Sequence, residues 1–577
     1  MLYRIFYTQP GIKLLPNRWD ILALLLVACM LMALAWAGSR MDLPFQLGQP
    51  IAISLNPGEL PLYALETTIR MFIALLFSFL FTFIVSTIAA KSQRAGRFLV
   101  PLIDILQSVP ILGYLSITIA AFIALFPGSL LGPECATVFV VFTSQVWNMT
   151  LSFYQSLRTI PNELNEATRV YQLSGWQRFW RLEVPFAMPG LLWNAMMSMS
   201  GGWFFIVAAE SISIANQQIT LPGIGSYIAL AITTKNLPAI FYAIITMLIV
   251  ILLYDQLFFR PLIKWSEKFR LTDIPDDSSH SWVLTLLQRT RLLQKVGTGI
   301  SGLSNALVNA RWPCKLTMSR RLSSREAKPS ILSSIIWYGL ATLLMTLLAI
   351  FLWHFIYATV PFGETWHAFV LGSYTALRVF ILIILCSLVW VPIGVWVGMR
   401  PGIAQYVQPI AQFLAAFPAN LFFPIFVVMI VRFNLNVEIW TAPLMVLGTQ
   451  WYILFNVIAG ASTIPKELKL AAENMQLSGW LKWKKFLFPA IFPFYVTGAI
   501  TAAGGSWNAS IVAEVVQWGH TTLVAQGLGA YITQNTIMGN FPKIALGVVV
   551  MCFWVTIVNL LFWRKIYKYA ETRYSLN

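Results

Sequence analysis

Four ionisable residues lie where a very apolar chain tolerates charge least. Arg70 and Arg378 fall near one end of long apolar runs, and Glu210 and Glu514 near the same end of others. Charge at bilayer depth is costly unless paired or wetted, so such residues point to a pathway or to interhelical pairs. In the first reading the arginines help an anion along an axis. In the plainer one each Arg pairs with a Glu, or snorkels, and only fixes helix packing. Glutamates would repel an anion, which favours the plainer reading. The other conspicuous polar residues are repeated: QLSGW occurs at Gln172–Trp176 and, letter for letter, at Gln476–Trp480. No residues converge for covalent chemistry. His280, His354, His367 and His520 are scattered, giving no metal site. Cys29, Cys135, Cys314, Cys386 and Cys552 lack CxxC spacing and read as small buried hydrophobes.

The residues around each QLSGW form a pattern of their own. Pro161 suits a first helical turn, where its missing N–H costs nothing, and Glu163 complements the helix dipole. Leu164, Ala167, Thr168 and Tyr171 then fall on one stripe of a helix over 161–173, with Glu166 beside it. The second copy places Glu467, Leu468, Ala471, Ala472 and Met475 at the same positions. Gly175 and Gly479 are expected to stop these helices. A second short helix should start near Trp176 or Trp480 and end before Pro185 or Pro489, since the residue preceding proline disfavours helix. The result is a helix–turn–helix elbow at 161–185 and another at 465–489. The alternative is an ordinary connector in the headgroups. Two copies favour docking to a two-fold symmetric cytoplasmic partner.

These residues must be positioned by membrane-spanning helices. The chain is 58% apolar, 14% aromatic and 11% charged, where soluble domains carry about a quarter charged residues. Its solvent must be lipid. The net charge of +17 does not signal nucleic acid, because Lys and Arg fall in short loops between apolar runs. Spans are expected near 20–38, 67–90, 101–126, 137–157, 186–212 and 238–260. Six more are expected near 331–357, 371–398, 405–432, 439–460, 490–515 and 542–563. The run Ile21–Ala37 has no A-x-A cleavage site after it and reads as a helix that stays. Loop charge favours both termini, and both elbows, in the cytoplasm. Residues 264–330 form a basic linker, with a candidate amphipathic helix from Trp282 to Val296.

The two halves, 1–263 and 331–577, are copies. At an offset of 304, Trp147 meets Trp451, Pro185 meets Pro489, Glu210 meets Glu514, and Gly223 and Gly225 meet Gly527 and Gly529. Upstream the offset becomes 308, where Arg70 meets Arg378 and Pro110 meets Pro418. An even number of helices per half makes the duplication parallel. The expected fold is an all-α integral membrane protein of two tandem six-helix bundles, with a pseudo-twofold axis along the membrane normal.

The elbow resembles the EAA loop of binding-protein-dependent ABC importer permeases. The copies read EATRVYQLSGWQRFWRLEVP (Glu166–Pro185) and LAAENMQLSGWLKWKKFLFP (Leu470–Pro489). Gln172 and Gln476 stand where the family glycine usually sits, and Leu470 replaces the motif glutamate. The resemblance covers about 200 residues of each half. It implies a type I importer fold in a bacterial inner membrane, with the elbows as coupling helices on two copies of a cytoplasmic ABC ATPase. It also implies an extracytoplasmic substrate-binding protein and transport by alternating access. ATP and magnesium would belong to the ATPase, since this chain has no GxxxxGK[ST] loop and is expected to bind no cofactor and catalyse nothing. GGWFFIVAAE with PGIGSYI, and SWNASIVAE with QGLGAYI, are similar to the nitrate, sulfonate, taurine and bicarbonate branch. Ferric iron is the rival substrate. A twelve-helix secondary transporter is the more distant rival, and KSQRAGR (Lys91–Arg97) lacks the Asp-Arg pair expected of one.

Overall fold

The computed structural model describes residues 51–269 and 331–574, apart from 215, 216 and 520, with a few isolated positions between the two stretches. The expected span at 20–38 and nearly all of the linker lie outside the described residues.

In the first half α1 (Leu60–Lys91) is followed by α2 (Gln93–Ser108), α3 (Ile111–Leu125), α4 (Leu131–Arg158), the elbow helix α5 (Asn162–Val170) and α6 (Gly175–Ala209). A hairpin β1–β2 (Ser211–Ile214, Gln217–Thr220), α7 (Ile224–Thr233) and α8 (Leu237–Phe269) complete it. The second half adds α9 (Ile331–Tyr357), then repeats the series. Its members are α10 (Phe362–Gly398), α11 (Pro401–Ala416), α12 (Phe423–Arg432), α13 (Val437–Trp440), α14 (Ala442–Val446), α15 (Gln450–Ser462), α16 (Lys466–Asn474) and α17 (Gly479–Ala513). The hairpin β3–β4 (Val515–Trp518, Thr521–Val524), α18 (Leu528–Met538) and α19 (Phe541–Ala570) follow. Among the described residues six helices are long and apolar enough to cross a bilayer, or up to eight if each of two bent pairs is one span.

The helices are inside-out by the standards of a water-soluble protein. On α1 the exposed face carries Leu76, Phe77, Leu80, Ile84 and Ile88, while Ser78, Thr82 and Ser86 are buried. The Ser86 hydroxyl donates to the Thr150 carbonyl (2.7 Å), and the Thr82 and Thr150 hydroxyls meet at 3.2 Å. Small and hydroxylic residues pack helices in lipid, where apolar burial supplies no drive. In the second half Gly394 replaces Ser86, and a Cβ there would lie 2.8 Å from Val457. One half uses hydroxyl bonds at this seam and the other close backbone approach.

Three expectations need correction. The segments near 101–126 and 405–432 are not single helices. They break at Val109–Pro110 and Phe417–Pro418, with a bend of 78° in the second half, because the residue before proline leaves the helical region. The segment near 439–460 bends by 43°. Third, the helices expected to reach 212 and 515 end at Ala209 and Ala513, and an antiparallel hairpin follows each. The β-branched and aromatic residues of SISI and QQIT, then VVQW and TTLV, favour strands there.

The halves meet reciprocally at the two breaks. The backbone N–H of Ile111 donates to Asn508 Oδ1 (2.6 Å), and Asn420 Nδ2 donates to the Phe204 carbonyl (3.2 Å). Phe204 and Asn508 occupy equivalent positions. Trp518, on β3, packs against the cores of both halves, and the Gly519 N–H donates to the Ile232 carbonyl (3.0 Å).

Candidate functional site: the elbows and the buried charge clusters

Both elbows project from the same end of the bundle. In each, the elbow helix is joined by a tight turn to a 35-residue helix, α6 or α17, about 50 Å long at 1.5 Å per residue. The elbow helices, Asn162–Val170 and Lys466–Asn474, start one residue later and end three residues earlier than expected. Gly175 and Gly479 do not end them. Gln172 and Gln476 do, in the left-handed conformation (φ 49° and 50°). The Leu173 N–H reaches back to the Thr168 carbonyl (3.0 Å) and that of Leu477 to Ala472 (3.1 Å), a Schellman closure. This explains why glycine suits those two positions.

The identical pentapeptides take different shapes beyond that turn. In the first, the Ser174 hydroxyl accepts from the Gln177 N–H, and the Gln177 side chain accepts from the Ser174 N–H. This capping box needs a side-chain acceptor three residues after the cap. Leu481 cannot supply one and the reciprocal bond is lost; in that copy Ser478 also caps nothing with its side chain, and Gly479 takes φ 50°. Nor do the second elbow helices end before Pro185 and Pro489. Each runs on through a π turn, Phe179–Glu183 or Trp483–Leu487, into the spanning helix. The wider turn relieves the clash between proline and the carbonyl four residues back. Each elbow is thereby continuous with a helix that crosses to the opposite end.

Glu163, Glu166, Ala167 and Gly175 are exposed on the first elbow, as are Glu467, Leu468 and Gly479 on the second. Leu164, Ala471, Pro185 and Pro489 are half-buried, while Thr168 and Ala472 face inward. Large apolar side chains stand out beyond them: Val170 and Tyr171 are 79% and 77% exposed, and Met475 and Trp480 are 73% and 79% exposed. The first elbow is also fastened by charge. Buried Glu183 pairs with Lys91 at the end of α1 (2.9 Å) and with Arg178 (3.1 Å), and Arg178 donates to Asn165 of α5 (3.0 Å). The equivalent positions in the second half are Leu487, Met399, Lys482 and Lys469, which cannot form this set.

At the opposite end each half holds a charge cluster under its hairpin. Arg70, 1% exposed, grips Glu134 in bidentate fashion (2.6 and 2.7 Å). It also donates to Glu210 (2.8 Å) and to the Pro222 carbonyl (2.8 Å). Glu210 accepts in addition from the Gly225 N–H (2.8 Å). A Cβ at Gly223 would lie 2.4 Å from the Glu210 carboxylate, and one at Gly225 would lie 2.2 Å from the Val207 carbonyl. These contacts require both glycines of PGIGSYI. The second half repeats the plan. Arg378 pairs with Glu438 and Glu514 (3.3 Å to the latter) and donates to the Gln526 carbonyl (2.7 Å). Thr375 donates to Glu514 (2.7 Å), and a Cβ at Gly527 would lie 2.2 Å from that carboxylate. Both Arg–Glu pairs of the sequence are thus brought together. Glu134 and Glu438 were not anticipated as members, although the 304-residue offset aligns them.

Residues 82–259 and 390–574 each match the family described as binding-protein-dependent transport system inner membrane component. The chain is 28% identical over 156 residues to a nitrate import permease protein of Synechocystis sp., covering 27% of this chain and 52% of that protein. It is 29% identical over 182 residues to a bicarbonate transport system permease protein of the same organism, covering 32% and 60%. It is 28% identical over 138 residues to a probable ABC transporter permease protein of Brucella abortus, covering 23% and 53%. The chain therefore spans about half the length of the relatives it matches. With more than half of its residues inside two copies of the family's domain, this multi-pass membrane protein belongs to the binding-protein-dependent ABC importer permeases, in duplicated form.

Proposed function

We propose that the chain is the membrane-spanning permease component of an ATP-driven importer for a small anion in a bacterial inner membrane. The observation that carries this is the pair of elbows. They sit at one end of the bundle, expose large apolar side chains beyond the spans, and are continuous with helices reaching the far end. A cytoplasmic ATPase pair seated on 161–185 and 465–489 could move both spanning helices at once. The ATP and magnesium would be bound and used there. Both termini lie in the cytoplasm in this reading, and substrate arrives at the hairpin end on an extracytoplasmic binding protein. The halves then alternate access by rocking about their shared seam. The names of the nitrate and bicarbonate permeases support an anion as cargo.

The test is to isolate the chain with its natural partners, identify the binding protein, and titrate it with nitrate, hydrogencarbonate, sulfonates and ferric iron. ATP-dependent uptake by the reconstituted complex should follow the anion bound. The double variant A167E/A471E should insert normally and lose at least tenfold in uptake, through loss of ATPase docking. Unchanged uptake in that variant would remove the coupling role.

A further inference from the structure

The two charge clusters are built to one plan but are not equally closed. In the first, Arg70, Glu134 and Glu210 have side chains that are 1%, 5% and 0% exposed. In the second, Arg378 is 15% exposed and Glu438 is 42% exposed, while Glu514 remains buried at 1%. Three differences in sequence produce this. Glu134 stands in the first turn of α4, a continuous helix of 28 residues. The aligned segment of the second half contains Pro443 and Gly448 where the first has Phe139 and Ser144. It is accordingly broken into α13, α14 and α15, leaving Glu438 on a helix of four residues that follows left-handed Asn434. Its neighbours Phe433, Ile439 and Trp440 are all exposed.

The third difference is a donor. The Gln526 backbone N–H donates to Glu438 (3.0 and 3.2 Å to its two oxygens), beside the Arg378 guanidinium. The aligned residue of the first half is Pro222, which has no N–H to give. A guanidinium N–H and an amide N–H thus converge on one O–C–O edge, at the foot of the hairpin whose Trp518 reaches both halves. Glu514 also lies against Arg378 (3.3 Å) but is held in addition by Thr375 and by the Ala530 N–H (3.0 Å), which leave it buried as Glu438 moves.

We infer that Glu438 is an internal stand-in for the cargo, and that Arg378 and the Gln526 N–H form a binding site for a planar oxyanion such as nitrate or hydrogencarbonate once Glu438 swings aside. The exchange preserves charge, because one monovalent planar anion replaces another against the same donors. The first-half cluster, closed and lacking the amide donor, is structural. The inference rests on the anion reading above and goes beyond it in assigning residues, shape and a single side.

Equilibrium binding of nitrate to the detergent-solubilised complex with its ATPase, without the binding protein, tests it. Gln is a weaker competitor than Glu for cationic donors, so E438Q should bind nitrate about tenfold more tightly than the unaltered chain. E134Q should leave nitrate binding unchanged. Q526P, which introduces the first-half residue and removes the N–H donated to Glu438, should abolish the gain while the thermal unfolding midpoint stays put. Sulfate, which is tetrahedral and divalent, should compete poorly. The site is overturned if E438Q and the unaltered chain bind nitrate alike, if E134Q gives the same gain, or if Q526P retains it. ATP-dependent uptake by the unaltered complex separates the two claims. Nitrate or hydrogencarbonate uptake with no effect of E438Q on binding removes the site and leaves the importer. No anion uptake at all removes both.

Discussion

Single atoms decide several features here. The glycines of PGIGSYI and QGLGAYI leave room for buried carboxylates, with no space for one methyl group at Gly223 or Gly527. G223A should push Glu210 off Arg70 and leave a buried guanidinium short of a partner. Breaking a buried pair costs about 3–5 kcal/mol, and thermal unfolding in detergent should register a loss of that order. G527A should cost less, because Arg378 is partly exposed and keeps Glu438. The left-handed glutamines make the opposite prediction. Q172G and Q476G each relieve a conformation that costs a side-chain-bearing residue roughly 1 kcal/mol or more. Part of that gain is returned through the freer unfolded chain. Each should raise stability by about 0.5 kcal/mol, read as a small upward shift of the same transition.

At the level of elements, the elbows share a shape but not a mounting. Glu183 ties the first elbow to the end of α1 through Lys91 and to α5 through Arg178 and Asn165. The second is seated without those pairs, and 465–489 carries five bases and two acids against three and three in 161–185. E183Q should loosen the first elbow from α1. In the reconstituted complex it should lower substrate moved per ATP hydrolysed, with ATP hydrolysis itself little changed. L487Q, at the equivalent place, should leave that ratio as it was. Equal effects of the two variants would show that the ion pairs transmit nothing.

On the scale of the whole molecule, the halves are joined where their third helices break. The Ile111 N–H begins a helix and donates to Asn508 Oδ1, whereas the Phe204 carbonyl that accepts from Asn420 sits within a continuous helix. N508L leaves a donor without an acceptor and should cost about 1–3 kcal/mol of stability. N420L should cost less, since the Phe204 carbonyl retains its helical surroundings. Both are readable as unfolding midpoints of the intact chain.

The sequence by itself determined the membrane setting, the duplication, the two elbows and the family they resemble. Each follows from local or periodic information: apolar run lengths, loop charge, and an offset that pairs identical residues. The Pro110 and Pro418 breaks were legible in principle, because proline constrains its own neighbour. What Glu134 and Glu438 do was not, although the offset aligns them, since nothing local says which charges meet across 64 or 60 residues. The tertiary structure alone decided that Arg70 is sealed between two carboxylates while Arg378 is open. It alone showed that one pentapeptide folds in two ways. The physical reason is common to both. A side chain's partners are set by what distant segments leave beside it, and Phe139 against Pro443, or Gln177 against Leu481, changes that neighbourhood without changing the residues that respond.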